Sequence, residues 1–229
     1  MRLSLFRSAK GVSENEISEA TQRCPGLRAL LPQKEGATLR VLDLGSARTA
    51  NLEFFANYGG QLAVADFYSG LRPLRAASEG DDRKRKALVK LLNFDPETRF
   101  DLVLAWDLLN YLTPQEHQVL MTTLEPFLVP GTAILAFIWM QKEMPPGPSR
   151  YWVRDEETVA FEIQEGRARP CPRYLEQDLL KRMPSLTVES RYQLRNGMLE
   201  YVFSYRKSSR PAAAVSSEPV RYPLGPAPR

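Results

Sequence analysis

The chain is expected to fold as an α/β protein: a mostly parallel sheet with helices on both faces, finished by an antiparallel C-terminal hairpin. Three observations predict this. The runs Leu39–Leu44, Leu62–Asp66 and Phe100–Asp107 are apolar on both faces apart from Arg40 and Asp101 at their entrances and an acid at or near the exit, as strands of helix-covered parallel sheets are. Helical patterns separate them. Near the end, two strand-like runs meet at Arg195-Asn196-Gly197, and Asn-Gly is the strongest short hairpin signal because it tolerates positive φ at both positions.

Taken in order, Ser13-Glu14-Asn15-Glu16 has capping-box spacing, so a short helix is expected from about Glu14, ended by Pro25-Gly26. A further helical piece, Leu27 to Leu31, stops at Pro32, and residues 1–38 read as a helical lead-in. The first strand breaks at Gly45 into a helix with Leu52, Phe55 and Tyr58 on one stripe, which Gly59-Gly60 stops. After the second strand the pattern weakens. Leu71 and Leu74 suggest a turn of helix, residues 78–82 a loop, and residues 83–92 a helix; a third strand is short or missing. Arg83-Lys84-Arg85-Lys86 adjoins Asp81-Asp82 and opens that helix, so it reads as a solvated face rather than a nucleic-acid signal. Phe100–Asp107 is followed by Thr113-Pro114-Gln115-Glu116, a capping box with proline at the first helical position. Val129-Pro130-Gly131 reads as a turn before a central strand, Thr132 to Met140. Tyr151 to Pro172 shows no clear pattern, Tyr174 to Met183 reads as helix, and Leu186–Leu194 with Met198–Lys207 forms the hairpin. Residues 208–229 carry five prolines among Ala and Ser and little to bury, and are expected to be a disordered tail.

Composition excludes several functions. The net charge is +4, of which the last 22 residues supply +2, from three arginines against one glutamate, too little to argue for nucleic acid. Cys24 and Cys171 lie far apart and His117 is the only histidine, so no structural zinc site is expected. No apolar run approaches the ~20 residues that span a bilayer. The sequence therefore reads as cytoplasmic and reduced.

In order and spacing these pieces resemble the class I S-adenosylmethionine-dependent methyltransferases, whose Rossmann-like, mostly parallel sheet ends in an antiparallel hairpin. The similarity covers 40–207 and is carried by Val41-Leu42-Asp43-Leu44-Gly45, by Asp66 ending the second strand, by Phe100 to Leu112, by Leu128-Val129-Pro130-Gly131 and by the Asn196-Gly197 hairpin. The resemblance implies S-adenosylmethionine as cofactor and a small-molecule or protein methyl acceptor. It implies that Gly45, Ser46, Ala47 and Arg48 embrace the methionine part, that Asp66 with Phe67 meets the ribose, that Asp95 meets the adenine amino group, and that Trp106 and Asp107 border the cofactor. Asn110 and Tyr111 would line the acceptor side. Asp43 would brace the loop from beneath.

Each assignment has a plainer alternative. Asp66 can cap a helix, Asp95 precedes Pro96 as turn residues do, and Trp106 and Tyr111 can be core packing. Gly45-Ser46-Ala47-Arg48-Thr49-Ala50 also loosely fits the dinucleotide fingerprint G-x-G-x-x-A, although the terminal hairpin counts against that fold. His117 reads as a packing or surface residue. Only Gly45 survives of the two or three glycines usual in such a loop; Ala47 and Thr49 add Cβ atoms where a ligand would approach, while Arg48 could reach a carboxylate. Two functions therefore compete: a methyltransferase, and a catalytically inactive relative of the same fold kept as an interaction module, with the proline-rich tail as a docking segment for a protein partner. No catalytic residue is assigned, because methyl transfer needs positioning more than a base.

Overall fold

The computed structural model describes residues 19–32, 37–76, 80–92 and 94–207. The Ser13–Glu16 capping box, much of the lead-in and the tail from residue 208 lie outside them.

Four parallel strands form the centre of the main sheet: β2 (Arg40–Asp43), β3 (Gln61–Val64), β4 (Phe100–Trp106) and β5 (Leu128–Trp139). Their order is β3-β2-β4-β5, and the antiparallel β11 (Met198–Tyr205) and β10 (Leu186–Gln193) extend the β5 side. Helix α2 (Thr49–Ala56) joins β2 to β3, and α3 (Phe67–Ala76) and α4 (Asp81–Leu91) join β3 to β4. Among the described residues no strand lies between β3 and β4, as the weak pattern there suggests. The chain leaves β2 toward β3 on one side and returns to β4 on the other. The strand order thus reverses at the C-terminal ends of β2 and β4, where open α/β sheets form their binding crevice.

One sheet face packs against α3, α4, α5 (Pro114–Leu124) and α6 (Glu176–Arg182) through Phe67, Leu71, Leu88, Leu120, Leu124 and Leu179. Helix α5 starts at the predicted capping box, with Thr113 and Glu116 satisfying each other's backbone donors. The other face carries short α1 (Pro25–Leu30), α2 and a second sheet, ordered β1 (Glu19–Arg23), β8 (Thr158–Glu162), β7 (Arg150–Asp155), all antiparallel. A two-residue pair, β6 (Glu143–Met144) with β9 (Arg169–Pro170), flanks it.

This second sheet corrects two expectations. Residues 19–23 are a strand rather than part of a helix, and Pro25 opens α1 at its first turn rather than ending a helix, where its missing N–H costs nothing. The unpatterned stretch after Tyr151 contains a hairpin whose inward residues, Tyr151, Val153, Val159 and Phe161, are buried, while Trp152 and Ala160 between them break the polar alternation that would have marked it. Its turn lacks glycine and asparagine; Asp155 Oδ1 accepts from the Glu157 N–H at 2.9 Å instead, an Asx turn. Val129-Pro130-Gly131 lies within β5, and Gly131 (φ +93°) falls where the β4–β5 register shifts. Leu52, expected on the core stripe of α2, is 47% exposed. Arg83 and Lys86 are exposed, as expected of a solvated face, while Leu88 and Leu92 are buried.

Candidate functional site

The crevice is built on Asp43, the last residue of β2. It is buried, and its Oδ1 accepts from the Gly45 N–H (2.8 Å) and from Trp106 Nε1 (2.7 Å), while Oδ2 accepts from Asn51 Nδ2 (2.9 Å). Burial pushes its carboxyl up to about 6, against the lowering effect of these three donors. The expectation that Asp43 braces the loop matches this geometry.

Trp106 takes φ +47°, a left-handed conformation that a bulky residue adopts at a cost of about 1–3 kcal/mol. That turn lays the indole against the loop. A Cβ placed on Gly45 would sit 3.0 Å from Trp106 Cδ1 and 3.1 Å from Asp43 Oδ1. A side chain at 45 would therefore press on the protein's own indole and on Asp43, each of which would have to give by a few tenths of an ångström. Above the indole lies Tyr151 of β7, stacked at 5.2 Å and 8° between ring planes, and Phe161 of β8 stacks on Tyr151 at 5.3 Å.

The second sheet is fastened to the loop at two further points. Asn51, fully buried on α2, accepts from the Val153 N–H at 2.8 Å and donates at 3.3 Å to the Tyr151 carbonyl while also holding Asp43. Arg48 pairs with Glu162 of β8 and lies 4.8 Å from the ring centroid of Trp152 in β7. Arg48 thus reaches the second sheet, where the sequence suggested a ligand carboxylate. It is also the N-cap residue of α2, and its side chain makes no capping hydrogen bond.

At the end of β3, Asp66 is half-buried. Its two oxygens accept from the Ser69 N–H (3.0 Å) and Ser69 Oγ (2.9 Å), so it caps α3, and its charge is felt at Asp43. Ser46 is half-buried beside the loop and Ala47 is exposed.

Several predicted residues are not brought into the crevice. Phe67 is buried in the core beneath α3. Asp95 is exposed, accepts from the Glu97 and Thr98 N–H groups, and belongs to the turn that leads into the start of β4. That is the opposite end of a seven-residue strand, about 20 Å from the crevice at ~3.3 Å per residue. The turn alternative describes it.

Asp107, Asn110 and Tyr111 gather just past β4, all buried. Asp107 accepts from the Ser149 N–H (3.1 Å to Oδ2), and burial pushes its carboxyl up to about 7. Asn110 donates to the carbonyls of Asp107 and Phe137 and accepts from the Trp139 N–H, each at 2.8 Å. All its polar atoms tie β4 to β5, which makes it a structural crosslink. Tyr111 packs against Tyr68, with Arg169 5.8 Å from its ring centroid, and its hydroxyl has no partner among the described residues. His117 is the packing residue expected: Nε2 donates to the Leu109 carbonyl at 3.0 Å, and burial pushes the imidazolium down to about 4.

Sequence reasoning missed Asn51, Tyr151 and Glu162. Asn51 is visible in retrospect as a lone amide one helical turn before Phe55 on the buried face of α2. Among the described residues no group of three or more His, Cys, Asp or Glu is arranged to hold a metal, and no helix is long and apolar enough to cross a membrane.

No family model and no curated protein matches the sequence. Solved structures do. They include a 1,6-didemethyltoxoflavin-N1-methyltransferase from Burkholderia thailandensis (17% identity, 80% of this chain and 77% of that one, TM-score 0.44). A putative type 11 methyltransferase from Sulfolobus solfataricus gives 14% identity, 83% and 97% coverage and a TM-score of 0.45. DesVI from Streptomyces venezuelae gives 16%, 79% and 87%, and 0.41. The α/β fold described above rests on the strand order and registers of this chain rather than on these alignments.

Proposed function

We propose that the chain is an S-adenosylmethionine-dependent methyltransferase-like protein acting on a small-molecule or protein acceptor. The observation that carries this reading is the placement of Gly45 and Asp66 at the C-terminal ends of neighbouring parallel strands, β2 and β3, beside the point where the strand order reverses, in a sheet finished by an antiparallel pair. Asp66 presents a half-exposed carboxylate of the kind that accepts from two vicinal hydroxyls. The N-terminus of α2, lacking a side-chain cap, suits the carboxylate of an amino-acid moiety. These residues fit the cofactor; the indole over Gly45 fits it only if it moves. When bound, the cofactor supplies an activated methyl carbon for in-line displacement. The protein's part is to orient the acceptor and exclude water.

Calorimetric titration with S-adenosylhomocysteine tests this. Binding on the order of micromolar is expected in the full chain, lost in Asp66→Ala and kept in Ser69→Ala, which frees the Asp66 oxygen without removing the charge. No heat and no thermal shift at millimolar ligand would overturn the cofactor reading. One observation favours the second reading, an interaction module of the same fold without catalysis: the space against the Gly45 backbone is already filled by Trp106.

A further inference from the structure

We infer that the β1–β8–β7 sheet is a latched lid, and that its closed form is autoinhibitory because the Tyr151–Trp106 stack fills the crevice over Gly45. The inference rests on the cofactor reading for the identity of the ligand, not for the existence of the lid.

Three contacts define the latch: two join the loop and α2 to the hairpin, and the third joins Trp106, at the end of β4, to it. Arg48 is gripped between Glu162 and Trp152, one on each strand of the hairpin. The ion pair is largely shielded, with Glu162 14% and Arg48 28% exposed, so salt and solvent weaken it less than a surface pair. Asn51 completes the β7 backbone from the side, taking the Val153 N–H and giving a bond to the Tyr151 carbonyl. The third contact is the ring stack, Trp106 under Tyr151 under Phe161.

What the latch holds down is strained. Trp106 keeps its left-handed backbone while its indole is bonded to Asp43 and covered by Tyr151. Lifting β7 removes the cover and lets the residue relax, exposing the Gly45 backbone. A ligand that binds only this opened form has its apparent affinity reduced by the fraction of molecules open. Arg48 then has a second use: released from Glu162, it is a cation at the mouth of the loop.

The test uses the full chain with Glu162→Gln and, on the other strand, Trp152→Ala, both facing Arg48 and neither among the residues assigned to the ligand. Hydrogen–deuterium exchange reads the lid without any ligand. Amides of 150–162 are expected to exchange about five- to tenfold faster in either variant, with those of β4 and β5 unchanged, and the double variant to be less than additive because both act through Arg48. S-adenosylhomocysteine reads the crevice, and its affinity should tighten by about the same factor. Equal exchange in wild type and both variants, or faster exchange with weaker ligand binding, overturns the lid. Faster lid exchange with no binding by any variant upholds the lid and overturns the cofactor reading. Binding that is unchanged while exchange is also unchanged overturns the lid alone.

Discussion

Two acids at the ends of adjacent strands, Asp43 and Asp66, have opposite surroundings. Asp43 is buried and satisfied by three donors, all from its own chain, and a roof of aromatic rings closes over them. Asp66, at the end of β3, is half-buried, and its carboxylate is held by Ser69 on the first turn of α3. The difference teaches that the Asp66 side of the crevice stays partly open to solvent, whereas the loop side is filled by the fold itself. Opening the roof should therefore tighten ligand binding, while the acid that meets the solvent remains necessary for it.

The comparison breaks most sharply at Trp106. Trp106→Ala should cost about 3 kcal/mol of stability, a buried aromatic lost against some relief of backbone strain, as read from urea unfolding. It should nevertheless tighten S-adenosylhomocysteine binding. If stability and binding fall together, the indole supports the site rather than blocking it. Asn51→Ala should cost about 2 kcal/mol, because it strands the buried Val153 N–H and one oxygen of Asp43; the same measurement on Asp66→Ala should show about 1 kcal/mol, the loss of a helix cap.

A smaller effect separates the halves by pH. Asp43 is raised to about 6, and Asp107 and Glu200, a buried residue of β11 that accepts from the Gly26 N–H at 2.8 Å, to about 7, each chiefly by burial. Carboxyls raised above their unfolded values hold protons that the unfolded chain releases, so their contribution is complete below about pH 4 and is lost as pH rises through 6 to 7. The urea midpoint is expected to fall between pH 5 and pH 8, and Asp107→Asn to flatten that slope.

Much of this arrangement was legible in the residues. The parallel strands announced themselves as apolar runs with acids at their exits, and Asn196-Gly197 marked the hairpin, whose Gly197 takes φ +81°. Asp43 was read as a brace beneath the Gly45 loop, and its Oδ1 accepts from the Gly45 N–H. The second sheet was not legible, because its β1–β8 pairing joins residues 19–23 to 158–162 and no local pattern encodes so distant a partner. Its hairpin hid behind an Asx turn in place of Asn-Gly. Asp95 failed for a related reason: without a third strand to fix the alignment, sequence order could not tell one end of the sheet from the other. Trp106 was read as a residue bordering the cofactor or as core packing, and nothing in a residue name announces its left-handed backbone.

The pairing of β1 with β8 also sets an order of events during synthesis. Residues 19–23 leave the ribosome early, yet their partner strand is completed only at residue 162, on the order of ten seconds later at typical elongation rates. Until then Ala20 and Gln22 have no neighbouring strand, and closing so long a loop makes this contact slow to form. The strand at the outer edge of the roof is thus made first and seated last.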